Sequence, residues 1–138
     1  MQAVLESIDA LLGAGANVDA EDQEGRTSLM IACEKGYIQI VDKLIQCDAR
    51  VYMKDRMDKT PLFYAIEAPA ENSDVVVRLI KEGANIDSAT VYNCTPLLRA
   101  TQKQYHQILP LLIENKANVN ARLSSKNNNK TALHIACE

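Results

Sequence analysis

One hexapeptide recurs four times along this chain, and that recurrence restricts the possible folds more than any other feature. Thr27-Ser28-Leu29-Met30-Ile31-Ala32, Thr60-Pro61-Leu62-Phe63-Tyr64-Ala65, Thr95-Pro96-Leu97-Leu98-Arg99-Ala100 and Thr131-Ala132-Leu133-His134-Ile135-Ala136 start 33, 35 and 36 residues apart. A second series runs out of phase with the first: Gly15-Ala16-Asn17-Val18-Asp19, Asp48-Ala49-Arg50-Val51-Tyr52, Gly83-Ala84-Asn85-Ile86-Asp87 and Lys116-Ala117-Asn118-Val119-Asn120. Two interleaved signals at a period near 33 residues describe a stacked array, not a closed globule. Function in such an array resides in a surface.

Residues 22–54 show the physics of one unit. Asp22-Gln23-Glu24-Gly25 is a turn, and the positions equivalent to Gly25 are Asp58, Asn93 and Asn129. Gly, Asp and Asn tolerate a left-handed backbone at the lowest cost, so the slot reads as a conformational constraint. Thr27 then caps a short helix over about 28–34, which Gly36 ends. Pro61 and Pro96 fill the first helical position in two repeats, where no N–H partner is required. The second helix covers about 38–46, with Ile40, Val41, Leu44 and Ile45 on one stripe. Its equivalents are Val75, Val76, Leu79 and Ile80, then Ile108, Leu109, Leu112 and Ile113. Each helix pair is too short to hide that stripe alone, so burial requires the next pair. An alanine column (Ala32, Ala65, Ala100, Ala136) lets neighbouring helices approach closely.

Composition narrows the function classes. Trp is absent and aromatic residues are 4% of the chain, so the core must be aliphatic. The net charge of -3 argues against nonspecific binding to nucleic acid or anionic lipid. No apolar run approaches the roughly 20 residues that span a bilayer, and no secretory signal is visible. The four cysteines lack metal-type spacing; Cys33 and Cys137 share one repeat slot and read as small buried side chains in separate layers. All four read as reduced thiols of the cytosol or nucleus.

These residues resemble the ankyrin repeat family. The family pattern D-x-x-G-x-T-P-L-H-x-A, a second helix and then G-A-D-V-N, is matched in every layer across essentially the whole chain. The resemblance implies an all-α solenoid of stacked helix-turn-helix pairs with projecting hairpin-like fingers and a concave face made by fingers and first helices. The array divides into a partial repeat at 1–21, repeats at 22–54, 55–89 and 90–122, and a finger with the start of a further repeat at 123–138. Residues 1–21 supply only a second helix and its exit loop, and 131–138 only the beginning of a first helix. Leu5, Ile8, Leu11 and Leu12 therefore expect a partner layer, and the sequence reads as a piece of a longer polypeptide.

Two insertions break the period. Ala68-Pro69-Ala70-Glu71-Asn72-Ser73 lengthens one inter-helix loop, with Ser73 or Asp74 expected to cap the helix that follows. The polar tract 123–130 lengthens the last finger, as a mobile contact loop or a tolerated surface insertion. Pro110 is harmless if its helix starts near His106 or Gln107. Lys116 and Asp48 replace the glycine of Gly15 and Gly83 at the helix exit, each at up to about 1 kcal/mol of left-handed strain.

No chemistry is legible. The resemblance assigns His134 to a hydrogen bond near its helix start, and His106 reads as a contact to an adjacent loop. Neither sits near Cys or a carboxylate at metal-site or nucleophile spacing, so we assign no catalytic residue, metal or cofactor. The expected function is a non-catalytic protein-protein interaction module for a protein or extended peptide, with no nucleic-acid, membrane or small-molecule partner. By slot matching to similar proteins, the finger tips are Gln23, Glu24, Arg26, Arg56, Met57, Lys59, Val91, Tyr92 and Cys94. The helix positions are Glu34, Lys35, Glu67, Ala68, Gln102 and Lys103, with Lys54 and Arg122 between fingers. Met57, Val91 and Tyr92 are apolar at slots expected to be exposed, and form a candidate hot spot or a finger-to-finger contact. Charge is polarised, acidic before Arg26 and basic beyond residue 98. One alternative makes the segment the targeting part of a larger enzyme, such as a ubiquitin ligase or kinase. Another makes Asn120 a substrate of an asparaginyl hydroxylase, as in family members.

Overall fold

The computed structural model describes residues 1–124, 126 and 128–138. Its helices are α1 (Gln2–Gly13), α2 (Ser28–Lys35), α3 (Ile38–Gln46), α4 (Pro61–Glu67), α5 (Ser73–Lys81), α6 (Pro96–Gln102), α7 (Ile108–Glu114) and α8 (Ala132–Ala136). The first helices α2, α4, α6 and α8 stack in one row, and the second helices α3, α5 and α7 in another. Among the described residues the extended structure is a single antiparallel bridge, Arg122 to Thr131. This is the all-helical stacked architecture that the repeats predict.

Local chemistry sets each helix start. The hydroxyls of Thr27, Thr60 and Thr95 accept from the backbone N–H of Met30, Phe63 and Leu98 at 3.4, 3.3 and 3.3 Å. These bonds satisfy donors that a helix leaves orphaned at its first turn. At Thr131 the imidazole joins in, with His134 Nδ1 2.7 Å from the threonine hydroxyl oxygen and within 3.3 Å of its N–H. Pro110 is the third residue of α7, whose N-cap is Gln107, so its missing N–H interrupts nothing. The finger slot is left-handed in all four cases: Gly25, Asp58, Asn93 and Asn129 have φ of 78°, 60°, 60° and 53°. Asp48 and Lys116 are left-handed too, at 63° and 67°.

An aliphatic spine runs through the layers. Leu29, Leu62 and Leu97 are 0–2% exposed, and Val41 and Val76, with Leu79 and Leu112, repeat the burial in the second row. The alanine column is buried at Ala32, Ala65 and Ala100. At the outer layers it fails. Ala136 is exposed, Leu133 is 74% exposed, Ile113 50% and Leu11 62%, because no helix among the described residues covers them. Cys137 is likewise exposed, which corrects the reading of it as a buried counterpart of Cys33.

The insertion at 68–73 also differs from expectation. Asn72 is the N-cap of α5 and makes no side-chain cap, and Ser73 is the first helical residue. The loop is instead bonded to the following layer. Ala68 O accepts from Lys103 Nζ at 2.6 Å and from Tyr105 Oη at 2.7 Å, and Glu71 Oε1 accepts from the N–H of Gln107 and Ile108 at 2.6 and 2.8 Å. Glu71 thereby caps α7 from a different repeat. His106 is exposed while its neighbours Tyr105 and Gln107 make the loop contacts assigned to it. The expected mobility of the polar tract 123–130 falls partly on Ser125 and Asn127, outside the described residues.

Candidate functional site

The fingers are built from turns whose carboxylate or hydroxyl is turned inward. Asp22 Oδ1 accepts from the N–H of Glu24 and Arg26, and Asp55 Oδ1 from Met57 and Lys59. Thr90 Oγ1 does the same for Tyr92 and Cys94. These local bonds outcompete any regular ladder and fix the tips. Adjacent tips are then joined through the backbone: Arg56 N–H donates to Glu24 O at 3.1 Å, Val91 to Met57 O at 3.0 Å and Ser124 to Tyr92 O at 3.2 Å. Met57 and Val91 therefore meet through main chain, which leaves their side chains exposed.

Behind the second and third fingers these bonds leave a groove of about 300 Å³. Six of the sequence-assigned residues line it: Met57, Lys59, Glu67, Tyr92, Cys94 and Gln102. Phe63, Thr90, Arg99 and Leu123 complete the lining and were not assigned. Arg99 carried a readable signal, because the same slot holds Ile31, Tyr64 and Ile135 elsewhere, and a guanidinium there departs from the pattern.

Glu67 organises the groove floor. Lys59 Nζ lies 2.9 Å from its Oε2 and Arg99 Nε 2.5 Å from its Oε1, the latter an ion pair without aligned hydrogen-bond geometry. Burial pushes the Glu67 carboxyl upward, but Lys59 and Arg99 outweigh it and hold the group below its ordinary value. Lys59 also sits 5.7 Å from the Phe63 ring centroid. Burial pushes the Cys94 thiol up to about 11, which disfavours the thiolate there. At 8% exposure Cys94 belongs to the groove floor, a correction to its assignment as a finger tip. Burial and the hydrogen bond to Asp55 Oδ2 raise the Tyr64 phenol well above its usual range.

The remaining assigned residues are dispersed. Gln23, Glu24, Lys54, Arg56, Val91 and Arg122 are exposed outside the groove lining, as Arg26 and Glu34 are in part. Arg26 is paired with Asp22 at 2.8 Å and Glu24 at 3.7 Å. Lys35 borders an apolar cleft beside α1. Lys103 turns back onto the carbonyls of Glu67 and Ala68. Asn120 is exposed in a polar cleft with Asp87, Asn93 and Arg122. No group of His, Cys, Asp and Glu among the described residues has metal-site geometry, and no helix among them is long and apolar enough to cross a membrane.

The family profile described as Ankyrin repeats (3 copies) matches residues 1–90 and again 68–138. A protein of Acanthamoeba polyphaga mimivirus named for its ankyrin repeats is 32% identical over 133 residues, 92% of this chain and 17% of its own length. Rabankyrin-5 of Homo sapiens is 29% identical over 161 residues, covering 99% of this chain and 13% of itself. L-asparaginase of Dirofilaria immitis is 34% identical over 76 residues, 55% of this chain and 12% of its own length. The chain thus spans less than a fifth of the length of each of these relatives.

Proposed function

The chain belongs to the ankyrin repeat family, whose arrays are generally protein-protein interaction modules, and from that premise we propose that its finger-side groove holds a protein or extended peptide without a reaction of its own. The observation that carries this reading is the convergence of Met57, Tyr92, Lys59, Glu67 and Gln102 on one groove. Tyr92 and Met57 are 53% and 37% exposed at its rim and offer an aromatic and a thioether to an apolar anchor. Lys59 and Arg99 share a single carboxylate, which leaves net positive charge for an acidic flank of the same partner. Four unpaired thiols suit a reducing compartment, so we place the interaction in the cytosol or nucleus.

The test is a titration of a captured and crosslink-mapped partner. Tyr92→Ala combined with Met57→Ala is expected to weaken it by more than about 1 kcal/mol with helix content unchanged, while Tyr52→Ala, outside the groove, has no effect. Unchanged affinity of the double variant removes the groove from the reading.

A second reading has one specific observation behind it. The matching segment of L-asparaginase is a minor part of a protein named as an enzyme. On that pattern the array is the targeting segment of a larger enzyme, and removal of residues 1–138 from the parent would abolish delivery to its target while leaving turnover of a small substrate intact.

A further inference from the structure

Three repeat slots set the charge of the finger-side face. One precedes the capping threonine (Arg26, Lys59, Cys94, Lys130), one lies four residues after it (Ile31, Tyr64, Arg99, Ile135) and one seven after it (Glu34, Glu67, Gln102, Glu138). In three layers the first slot is a cation, the second is uncharged and the third is a carboxylate, so each layer carries its own balance. Two of these pairs close directly: Lys59 Nζ lies 2.9 Å from Glu67 Oε2, and Lys130 pairs with Glu138. The repeat at 90–122 departs at all three slots. Cys94 is neutral, Arg99 stands where the other layers have Ile or Tyr, and Gln102 replaces the carboxylate. That layer has a cation and no acid.

The neighbouring side chains do not restore the balance. Arg99 Nε reaches Glu67 Oε1 at 2.5 Å, but the same carboxylate already holds Lys59. Arg99 Nη1 donates to Gln102 Oε1 at 3.2 Å, a neutral acceptor that leaves the charge in place. Guanidinium and amide therefore stand side by side at the end of α6, in the groove beside Tyr92 and Met57. The Arg99 side chain is 37% exposed and Gln102 is exposed, so both are accessible from the groove. With its oxygen engaged by Arg99, the Gln102 amide N–H2 is left as a second donor, and the two groups suit the two oxygens of a carboxylate.

Resting on the peptide-binding reading above, we propose that the partner supplies the missing acid: an Asp or Glu side chain sets its carboxylate on Arg99 and Gln102, next to an apolar anchor on Tyr92 and Met57. The partner's carboxylate takes the role that the repeat gives to Glu34, Glu67 and Glu138 in the other layers. A basic residue at that point meets Arg99 unscreened, so the clamp rejects the wrong peptide as well as holding the right one.

Selection of displayed random dodecapeptides on the immobilised chain tests this. Groove-dependent peptides, recognised by their loss on Tyr92→Ala with Met57→Ala, are expected to carry Asp or Glu beside an apolar residue. Replacing that acid by its amide should weaken binding about fivefold. Arg99→Ile and Gln102→Glu each install a residue that other layers already hold in the same slot. Each is expected to erase the difference between acid and amide peptides while the apolar anchor still contributes. Groove-dependent peptides without acid enrichment, or an acid preference that survives either variant, overturn the proposal and leave the groove itself standing. Peptides indifferent to Tyr92 and Met57 remove the groove and the clamp together. Tighter binding of a peptide with phosphoserine in place of the acid reassigns the clamp to phosphate and also overturns the proposal.

Discussion

Glu67 concentrates the electrostatics of the groove in one side chain, 19% exposed, that holds Lys59 and Arg99 together. Glu67→Gln removes the charge both cations share and is expected to cost about 1–2 kcal/mol, less than a fully buried pair because both cations keep some solvent. The sign of its pH dependence follows from the lowered carboxyl. Burial raises it, Lys59 and Arg99 lower it further, and the net folded value lies below the unfolded one. Its stabilisation is therefore complete above the unfolded pKa and lost as pH falls through the folded one. Urea unfolding should show the gap between parent and Glu67→Gln narrowing from neutral pH to strongly acidic pH; a gap that widens would contradict the ion-pair assignment. Lys116 makes the opposite kind of prediction. Its φ of 67° strains any residue with a Cβ, so Lys116→Gly is expected to stabilise by up to about 1 kcal/mol in the same assay.

At the scale of helices, the least expected feature is that Glu71 caps α7 from the preceding repeat, accepting from Gln107 and Ile108. Glu71→Ala should cost about 1 kcal/mol, the usual worth of a lost cap, and should speed amide exchange in the first turn of α7 while leaving α5 unchanged. Comparison of residues explains why this cap was not legible while others were. Thr27, Thr60 and Thr95 bond to a donor three residues on, and the left-handed slot of Gly25, Asp58, Asn93 and Asn129 is a property of one residue. Both are local, so the repeat displays them. Glu71 meets its donors 36 and 37 residues away through loop geometry that periodicity does not encode, and Arg99 reaches Glu67 from the neighbouring first helix, a pairing that no single repeat displays. The groove was legible in part for the same reason: slot matching found Met57, Glu67 and Tyr92 but not the odd guanidinium between them. The apolar stripe misled at Ile113, which repeats the slot of Ile45 and Ile80 without a helix among the described residues to cover it.

Across the described residues the main helix contacts fall within a layer or between adjacent layers, so stability is close to a sum of unit and interface contributions and need not be uniform. The middle has interfaces on both sides: Leu62, Ile66, Val76 and Leu79 are fully buried, and Gly36 abuts Asn72 of the next layer so closely that a Cβ would collide with it. By contrast, α1 and α8 contain no buried residue. Native-state hydrogen exchange in dilute solution should therefore show protection greatest in α4 and α5, falling towards both ends, with α1 and α8 opening independently of the rest. Equal protection from α1 to α8 would mean that the array unfolds as one unit and that nearest-neighbour additivity does not hold here.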